Sequence, residues 1–600
     1  MKTLNLRPMS FEDLIGRQHG LVPEGQQTIA QRFSVGSTAA CKPSPEGPAE
    51  GSGSINGVSR PCGTYRRSAL YPTLKRWATS RCPFGTGMPS SFRKAFRPVL
   101  LSLCTLFAGL STRAEQTNQE ATAAETLVIS TAKPLSAKEK KLRGAVFSRC
   151  QEMLNAPAGK FGAHPSAAIF PGPVAKDAPR ISKTLKMKHV PPPAEMMPLI
   201  KPLEYSDPFS ATLYSTGLYA APGEVITVQI PGGLTGKLEV QIGCHTDNLN
   251  EWMAREENWR RMPLIVNQRK LESERTQAAN PFGGLVYITC PPTAEAWQAE
   301  ITISNAVMSP RFILGQTTDA EWKQMVDSTG APWGELATDN LIIMLPVSVL
   351  KSITDPASRM KIWQSIIGAT MDLAQLPVPF YRAQRLVTDV HLGGGFMHSG
   401  YPIMVHHCPE LDMSTEEFIS DPARFAKPAN GGPNWGFFHE IGHNMQNLDW
   451  VFDGTTEVSV NFFSLYCFDK VCAGRDAAHP GISPESTRKM LKSYFSKPPD
   501  LKQWKDDPFL GLVTFRLIQN DFGWDLFKRT FKRYHVLSDD QRPKNDEAKR
   551  DRLVRYLSES AGRNFAPYFS AWGIPLTDGL KQDLAKYPEW MPYDFPPRTL

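Results

Sequence analysis

His439, Glu440 and His443 stand in the order H-E-I-G-H, and Glu457 follows after thirteen intervening residues. On an α-helix, positions four apart share a face with Cβ atoms about 5–6 Å apart. Two imidazoles placed so can reach one ion at zinc's bond length of about 2.0–2.1 Å. Glu440, beside the first histidine, can hydrogen-bond water held on the metal without being a ligand itself. Zinc draws the pKa of that water towards neutrality, and the carboxylate can take its proton during attack on a peptide carbonyl and later deliver it to the leaving amine.

A catalytic zinc keeps three protein ligands and one open position. Glu457 is the best third ligand, because Asp453-Gly454 supplies a turn and Thr455 or Thr456 a helix cap, so that the chain can double back with Glu457 facing the histidines. Asp449 is the weaker choice, since no helix start places it. Asn461 follows Glu457 one turn later on the same face, where it can hydrogen-bond His439 or Glu457 and hold the ligand's orientation. With three ligands placed and a fourth position open, a purely structural zinc is disfavoured.

Several other residues have chemistry to offer. His398, Ser399 and Tyr401 precede an expected strand, Tyr401 to Val405, that could form the edge of a cleft and pair with an extended substrate. Either His398 or Tyr401 could stabilise an oxyanion, although turn and core roles account for both. Trp435 reads as packing under the metal helix, with a cleft role as the alternative. His406, His407 and Cys408 look like a metal cluster, but neighbours on a strand point to opposite faces and cannot all converge without a bend.

The elements that must position these residues fall into an expected α+β multidomain order. Residues 88–114 run from basic Arg93, Lys94 and Arg97 through the apolar stretch Pro98 to Leu110 to small Thr112 and Ala114, the order of a secretory signal peptide. The apolar run is too short to span a membrane. Met88 is therefore the expected start, residues 1–87 a non-native, disordered upstream extension, and the mature chain secreted or periplasmic. Residues 115–204, rich in Ala, Lys and Pro, read as a spacer with one helix, Ser136 to Asn155. Residues 205–308 alternate apolar and polar positions between turns and read as a β-sandwich, with strands at Glu224 to Ile230, Leu238 to Ile242, Leu264 to Asn267, Leu285 to Thr289 and Glu300 to Ser304.

Helical periodicity then dominates. Residues 309–480 form the expected zinc peptidase domain, with helices at Ala320 to Val326, Ser358 to Leu376 and Thr415 to Phe425 and a buried strand at Leu341 to Leu345. Residues 481–600 form an expected helical C-terminal subdomain.

Charge and cysteine narrow the function classes. Of 67 Lys and Arg, 15 lie in the first 114 residues with only 5 of the 59 Asp and Glu, so the formal net charge of +8 belongs to the leader. The remainder is near neutral, which removes the basic surface that nucleic-acid binding requires. Six cysteines follow Ala114. Two readings stand for them: disulfides, with Cys244–Cys290 the first pair to consider, or buried free thiols.

The stretches W-G-F-F-H-E-I-G-H-N-M-Q and G-T-T-E-V-S-V-N within Trp435 to Asn461 resemble the enhancin-type zinc peptidases, metallopeptidase family 60, as does H-S-G-Y-P-I at His398 to Ile403. In the β region the likeness continues through T-G-L-Y-A-A-P-G-E, Thr216 to Glu224, and N-P-F-G-G-L-V-Y-I, Asn280 to Ile288; Y-F-S-A-W-G-I-P-L, Tyr568 to Leu576, resembles the family's closing segment. The resemblance implies a gluzincin-like catalytic domain behind the β-sandwich, one zinc ion held by His439, His443 and Glu457, and Glu440 as the base. It also implies glycoprotein substrates, O-glycosylated mucin-like ones among them. A catalytically silent glycan- or protein-binding member of the same fold is the alternative, although intact ligands and an intact base speak for the enzyme.

Overall fold

A computed structural model describes residues 126–203, 210–407, 434–472, 479–593 and 595–596. The expected leader, the helix at Thr415 to Phe425 and Cys408 lie outside the described residues. A β-rich N-terminal region is followed by a largely helical C-terminal part.

The first region opens with helix α1 (Lys140–Asn155). Its strands are β1 (Ile181–His189), β2 (Thr212–Ala220), β3 (Ile226–Gln229), β4 (Glu239–Ile242), β5 (Asn267–Lys270), β6 (Arg275–Ala278), β7 (Gly284–Cys290) and β8 (Trp297–Met308). They form one sheet in the order β5-β4-β7-β2-β8-β3-β6, with β1 also on β8. The expected β-sandwich is thus a single sheet whose two halves share β8. Ile226 and Val228 from one half and Val240, Ile242, Val286 and Ile288 from the other meet in one buried cluster. The expected spacer before residue 205 includes β1, which pairs along β8 from Ile181↔Ala306 to His189↔Trp297. Leu264 to Asn267 is not the strand; β5 begins at Asn267, because Ile265 is buried as a loop residue and burial does not itself make a ladder.

The second region carries a sheet that the helical pattern concealed: β9 (Arg311–Ile313), β10 (Trp333–Ala337), β11 (Leu341–Pro346), β12 (Gln384–Asp389), β13 (Met397–His398) and β14 (Ile403–His406), in the order β13-β14-β12-β11-β10-β9. Its central strands are buried on both faces, which accounts for the unbroken apolar run Leu341 to Leu345. Leu341, Ile343, Leu345 and Leu386 face the helical core. Ile342, Met344 and Val387 face a second core shared with Tyr219, Leu285 and Tyr287 of the N-terminal sheet. The β domain therefore packs on the back of the sheet whose front carries the helices.

Helix α2 (Asp319–Ser328) begins with a capping box, Thr318 with Glu321. Next come α3 (Pro356–Ala374), α4 (Asn434–His443), α5 (Thr456–Lys470), α6 (Pro484–Phe495), α7 (Pro508–Phe522), α8 (Trp524–Lys532) and α9 (Asp546–Ala561). α3, α4 and α5 pack on one another, with α7 against α5.

The five described cysteines are buried free thiols. The candidate pair Cys244–Cys290 fails on register. β4 and β7 run antiparallel from Glu239↔Thr289 to Ile242↔Val286, so Cys244 lies beyond one end of the ladder and Cys290 near the other. At about 3.3 Å per residue they stand well beyond the Cα separation of about 7 Å that a disulfide tolerates. Among the described residues no helix is long and apolar enough to cross a membrane.

Candidate metal centre

Gly442 lets the two central helices meet. A Cβ there would lie 2.8 Å from Phe463 Cβ and 3.1 Å from Val460 Cγ2, so a side chain would force α4 and α5 apart. Gly454, at φ +85°, takes the left-handed turn that reverses the chain between them. Thr455 occupies the N-cap position of α5, but its hydroxyl donates to the Phe452 carbonyl and does not cap the helix.

Glu457 accordingly returns in the first turn of α5 to the histidines. His439 Nε2 and His443 Nε2 lie 3.1 Å apart, and Glu457 Oε2 is 3.0 Å from the first and 3.7 Å from the second. Tetrahedral ligands at zinc's bond length stand about 3.3 Å from one another. These three atoms bracket that spacing.

The other ring nitrogens are already committed. His439 Nδ1 is 2.8 Å from Asn461 Oδ1, and His443 Nδ1 is 2.7 Å from Gln446 Oε1. An amide oxygen accepts, so each Nδ1 donates and each Nε2 lone pair turns inward. Two imidazole lone pairs and a carboxylate facing one another repel unless a cation or proton lies between them, and this donor set of two nitrogens and one oxygen suits zinc. Burial would lower the pKa of His439, but its hydrogen bond to Glu457 and the charges of Glu440 and Glu457 outweigh burial and push it up to about 9. Burial would raise Glu457, but the two histidine rings against it hold its carboxyl well below the usual carboxylate range. Glu440 makes no hydrogen bond or ion pair with another described residue.

The remaining candidates separate. His398 lies on β13, the outermost of the described strands of the sheet, so among the described residues the sheet edge is β13 and not the strand after it. That following strand, β14, begins at Ile403, because Pro402 has no N–H to give the ladder. His398 Nε2 is 2.8 Å from Asp247 Oδ2. Tyr401 is drawn away: its hydroxyl accepts from Arg385 Nε at 3.3 Å and from the Leu213 amide at 3.4 Å, and the Arg382 guanidinium covers its ring. Both contacts use the hydroxyl as an acceptor and tie Tyr401 to β2 and β12. Trp435 is 8% exposed among Phe468, His479 and Phe509, which makes it core beneath α4 and not a cleft residue. Asp449 is paired with Arg542. His406 stacks on Phe396, and the His407 amide donates to the Asp389 carbonyl.

Three polar residues at the site escaped the sequence reading. Gln446 lies just past the end of α4, where no helical face could be drawn. Asn444, next to His443, bonds both the amide and the carbonyl of Gly400. Asp247 sits nearly two hundred residues upstream of the motif, and only the packing of the β domain brings it in.

This pairing of an H-E-x-x-H helix with a glutamate helix, in front of a sheet that a β domain backs, gathers two histidines and a glutamate that could hold one metal ion. Residues 305–573 match the family model described as "Peptidase M60, enhancin and enhancin-like", and residues 210–304 match that for the N-terminal domain of M60-like peptidases. The chain belongs to this enhancin-like M60 family. A relative, TRPM8 channel-associated factor 3 of Mus musculus, is 38% identical over 406 residues, covering 67% of this chain and 42% of that protein. The chain thus spans well under half the length of the curated relative it matches. Two solved structures share the fold: the ZmpB metallopeptidase from Clostridium perfringens, with TM-score 0.51 and 16% identity over 68% of this chain and 80% of the other, and the M60 catalytic domain of Clostridium perfringens ZmpC in complex with the sialyl T antigen, with TM-score 0.50 and 13% identity over the same shares.

Proposed function

We propose that the chain is an exported zinc-dependent endopeptidase that hydrolyses peptide bonds in glycoproteins, O-glycosylated mucin-like ones foremost. In this reading His439, His443 and Glu457 hold one zinc ion and Glu440 is the base. Residues 88–114 direct export, the strands from β1 to β8 form the β domain, 309–480 the gluzincin-like catalytic domain and 481–600 the helical C-terminal subdomain. The observation that carries it is the convergence of two Nε2 lone pairs and one carboxylate within 3.0–3.7 Å, with both Nδ1 atoms held by amide oxygens. The glycoprotein substrate rests on the family and on the sialyl T antigen in the ZmpC domain.

Zinc bound there supplies a Lewis acid that polarises the scissile carbonyl and acidifies water. Asn461 and Gln446 keep the ligand imidazoles in one tautomer. Glu440 takes the proton of the attacking water and returns it to the leaving amine. The two-residue edge strand β13 offers backbone groups to an extended substrate.

The test compares the zinc-loaded chain with Glu440→Gln on mucin, reading new peptide termini by mass spectrometry and zinc by atomic absorption. The variant is expected to retain zinc and lose about 10²–10⁴-fold in rate. A variant that cleaves at the wild-type rate removes Glu440 from the mechanism. A second reading, a catalytically silent member that binds a glycan or protein partner, draws on relatives named for association with a channel; clean binding of mucin with no new termini favours it.

A further inference from the structure

Gly436 and Glu440 share one face of α4, and Asn444 continues that line just beyond the helix end. The β13 segment is fastened to this line at both ends. A Cβ on Gly436 would lie 3.2 Å from Met397 Sδ, so Met397 rests against the helix there. The Gly400 amide donates to Asn444 Oδ1 at 3.0 Å, and the Gly400 carbonyl accepts from Asn444 Nδ2 at 2.9 Å. His398 and Ser399, between these two anchors, must run alongside Glu440.

His398 has no ring nitrogen to spare. Its Nδ1 lies 2.8 Å from the Ser399 carbonyl oxygen and its Nε2 2.8 Å from Asp247 Oδ2. Both partners only accept, so both nitrogens donate and the ring is an imidazolium. Asp247 belongs to the loop between β4 and β5 of the β domain. It is itself fixed: Oδ2 accepts from the Gly393 amide at 2.6 Å, and its carbonyl accepts from Arg261 Nη2 at 3.1 Å. The His398 and Asp247 side chains are 17% and 11% exposed, and the Trp252 ring closes over His398 edge-on at 5.5 Å.

We infer that Asp247 is a positioning residue for hydrolysis, holding His398 as a stationary imidazolium beside Glu440, so that the β domain completes the site. The inference rests on the peptidase reading. With both N–H groups committed, His398 does not pass a proton to substrate; what it contributes is fixed positive charge where negative charge gathers as water attacks. The charged groups facing it are Asp247 from the β-domain loop and Glu440 from α4, with Arg261 behind Asp247. Burial alone would depress His398, but Asp247, the Ser399 carbonyl and the Glu440 charge together raise its pKa.

The test uses the full zinc-loaded chain labelled with 15N-histidine. In the wild type at pH 7.5 the His398 ring is expected to show two protonated nitrogens. In Asp247→Asn one of them loses its proton and kcat falls about 10–100-fold, while KM and zinc content stay within about twofold of wild type. Asp247→Glu restores part of both readouts. His398→Gln lowers kcat as far as Asp247→Asn does, and the double variant is no worse than either, as two members of one unit require. Should Asp247→Asn not fold, Asp247→Glu and His398→Gln carry the same comparison. A neutral His398 in the wild type, or Asp247→Asn with wild-type kcat, overturns the inference. A wild type that cleaves nothing overturns the peptidase reading instead, and the nitrogen signals then decide alone whether Asp247 holds the imidazolium.

Discussion

Gln446 joins His443 to the helix that bears Glu457: its Oε1 lies 2.7 Å from His443 Nδ1, while its Nε2 donates to the Thr456 carbonyl at 2.8 Å and to Ser459 Oγ at 2.7 Å. One amide thus fixes a ligand's tautomer and its distance from the neighbouring helix. Gln446→Ala is expected to weaken zinc binding about 10–100-fold, measured by competition with a chromophoric chelator. Unchanged affinity would assign Gln446 to the fold alone.

Zinc uptake should release protons. A ligand imidazole must be neutral, and His439 keeps its proton up to about pH 9 in the metal-free protein. The sign follows: zinc affinity rises with pH, about tenfold per unit, while His439 is protonated, and levels off above about 9. Calorimetry at pH 7.5 in buffers of differing ionisation enthalpy should find about one proton released per zinc.

Two glycines of the helical core should respond oppositely to alanine. Gly442→Ala overpacks the α4–α5 contact, at 2.8 Å from Phe463 Cβ, and is expected to cost about 1–3 kcal/mol and to weaken zinc binding by displacing Glu457. Gly368, inside α3, has no atom within 4 Å of its added Cβ, so Gly368→Ala should be neutral or add up to about 1 kcal/mol. Urea unfolding of both variants reads the difference.

Arg261 and Asp389 form a buried ion pair across the two regions, with Arg261 Nε 2.9 Å from each carboxylate oxygen. Arg261→Met strands the Asp389 charge and is expected to cost about 3–5 kcal/mol. Arg261→Met with Asp389→Leu should recover most of that loss, since the stranded charge goes with it. A single variant as stable as wild type would show that water reaches the carboxylate.

Much of the second sheet was hidden from the sequence because it contains buried charge. Glu335 in β10 and Arg385 in β12 are buried together, their charged atoms 3.3 Å apart. Asp389 ends β12 on Arg261. Charged positions read as solvent-facing unless their partners are known, and those partners lie fifty to more than a hundred residues away. The fully apolar β11 needed no partner to be recognised.

What the sequence determined by itself was local. The four-residue step of H-E-I-G-H puts His439 and His443 on one helix face because helical geometry repeats within a turn, and the turn at Asp453-Gly454 brings Glu457 within reach. Tertiary structure decided what covers long separations. It turned Tyr401 onto Arg385, buried Trp435 beneath α4, left Cys244 and Cys290 at opposite ends of a ladder, and carried Asp247 from the β domain to His398. Side-chain pairs that distant in sequence are set by how whole layers pack, and no spacing along the chain encodes them.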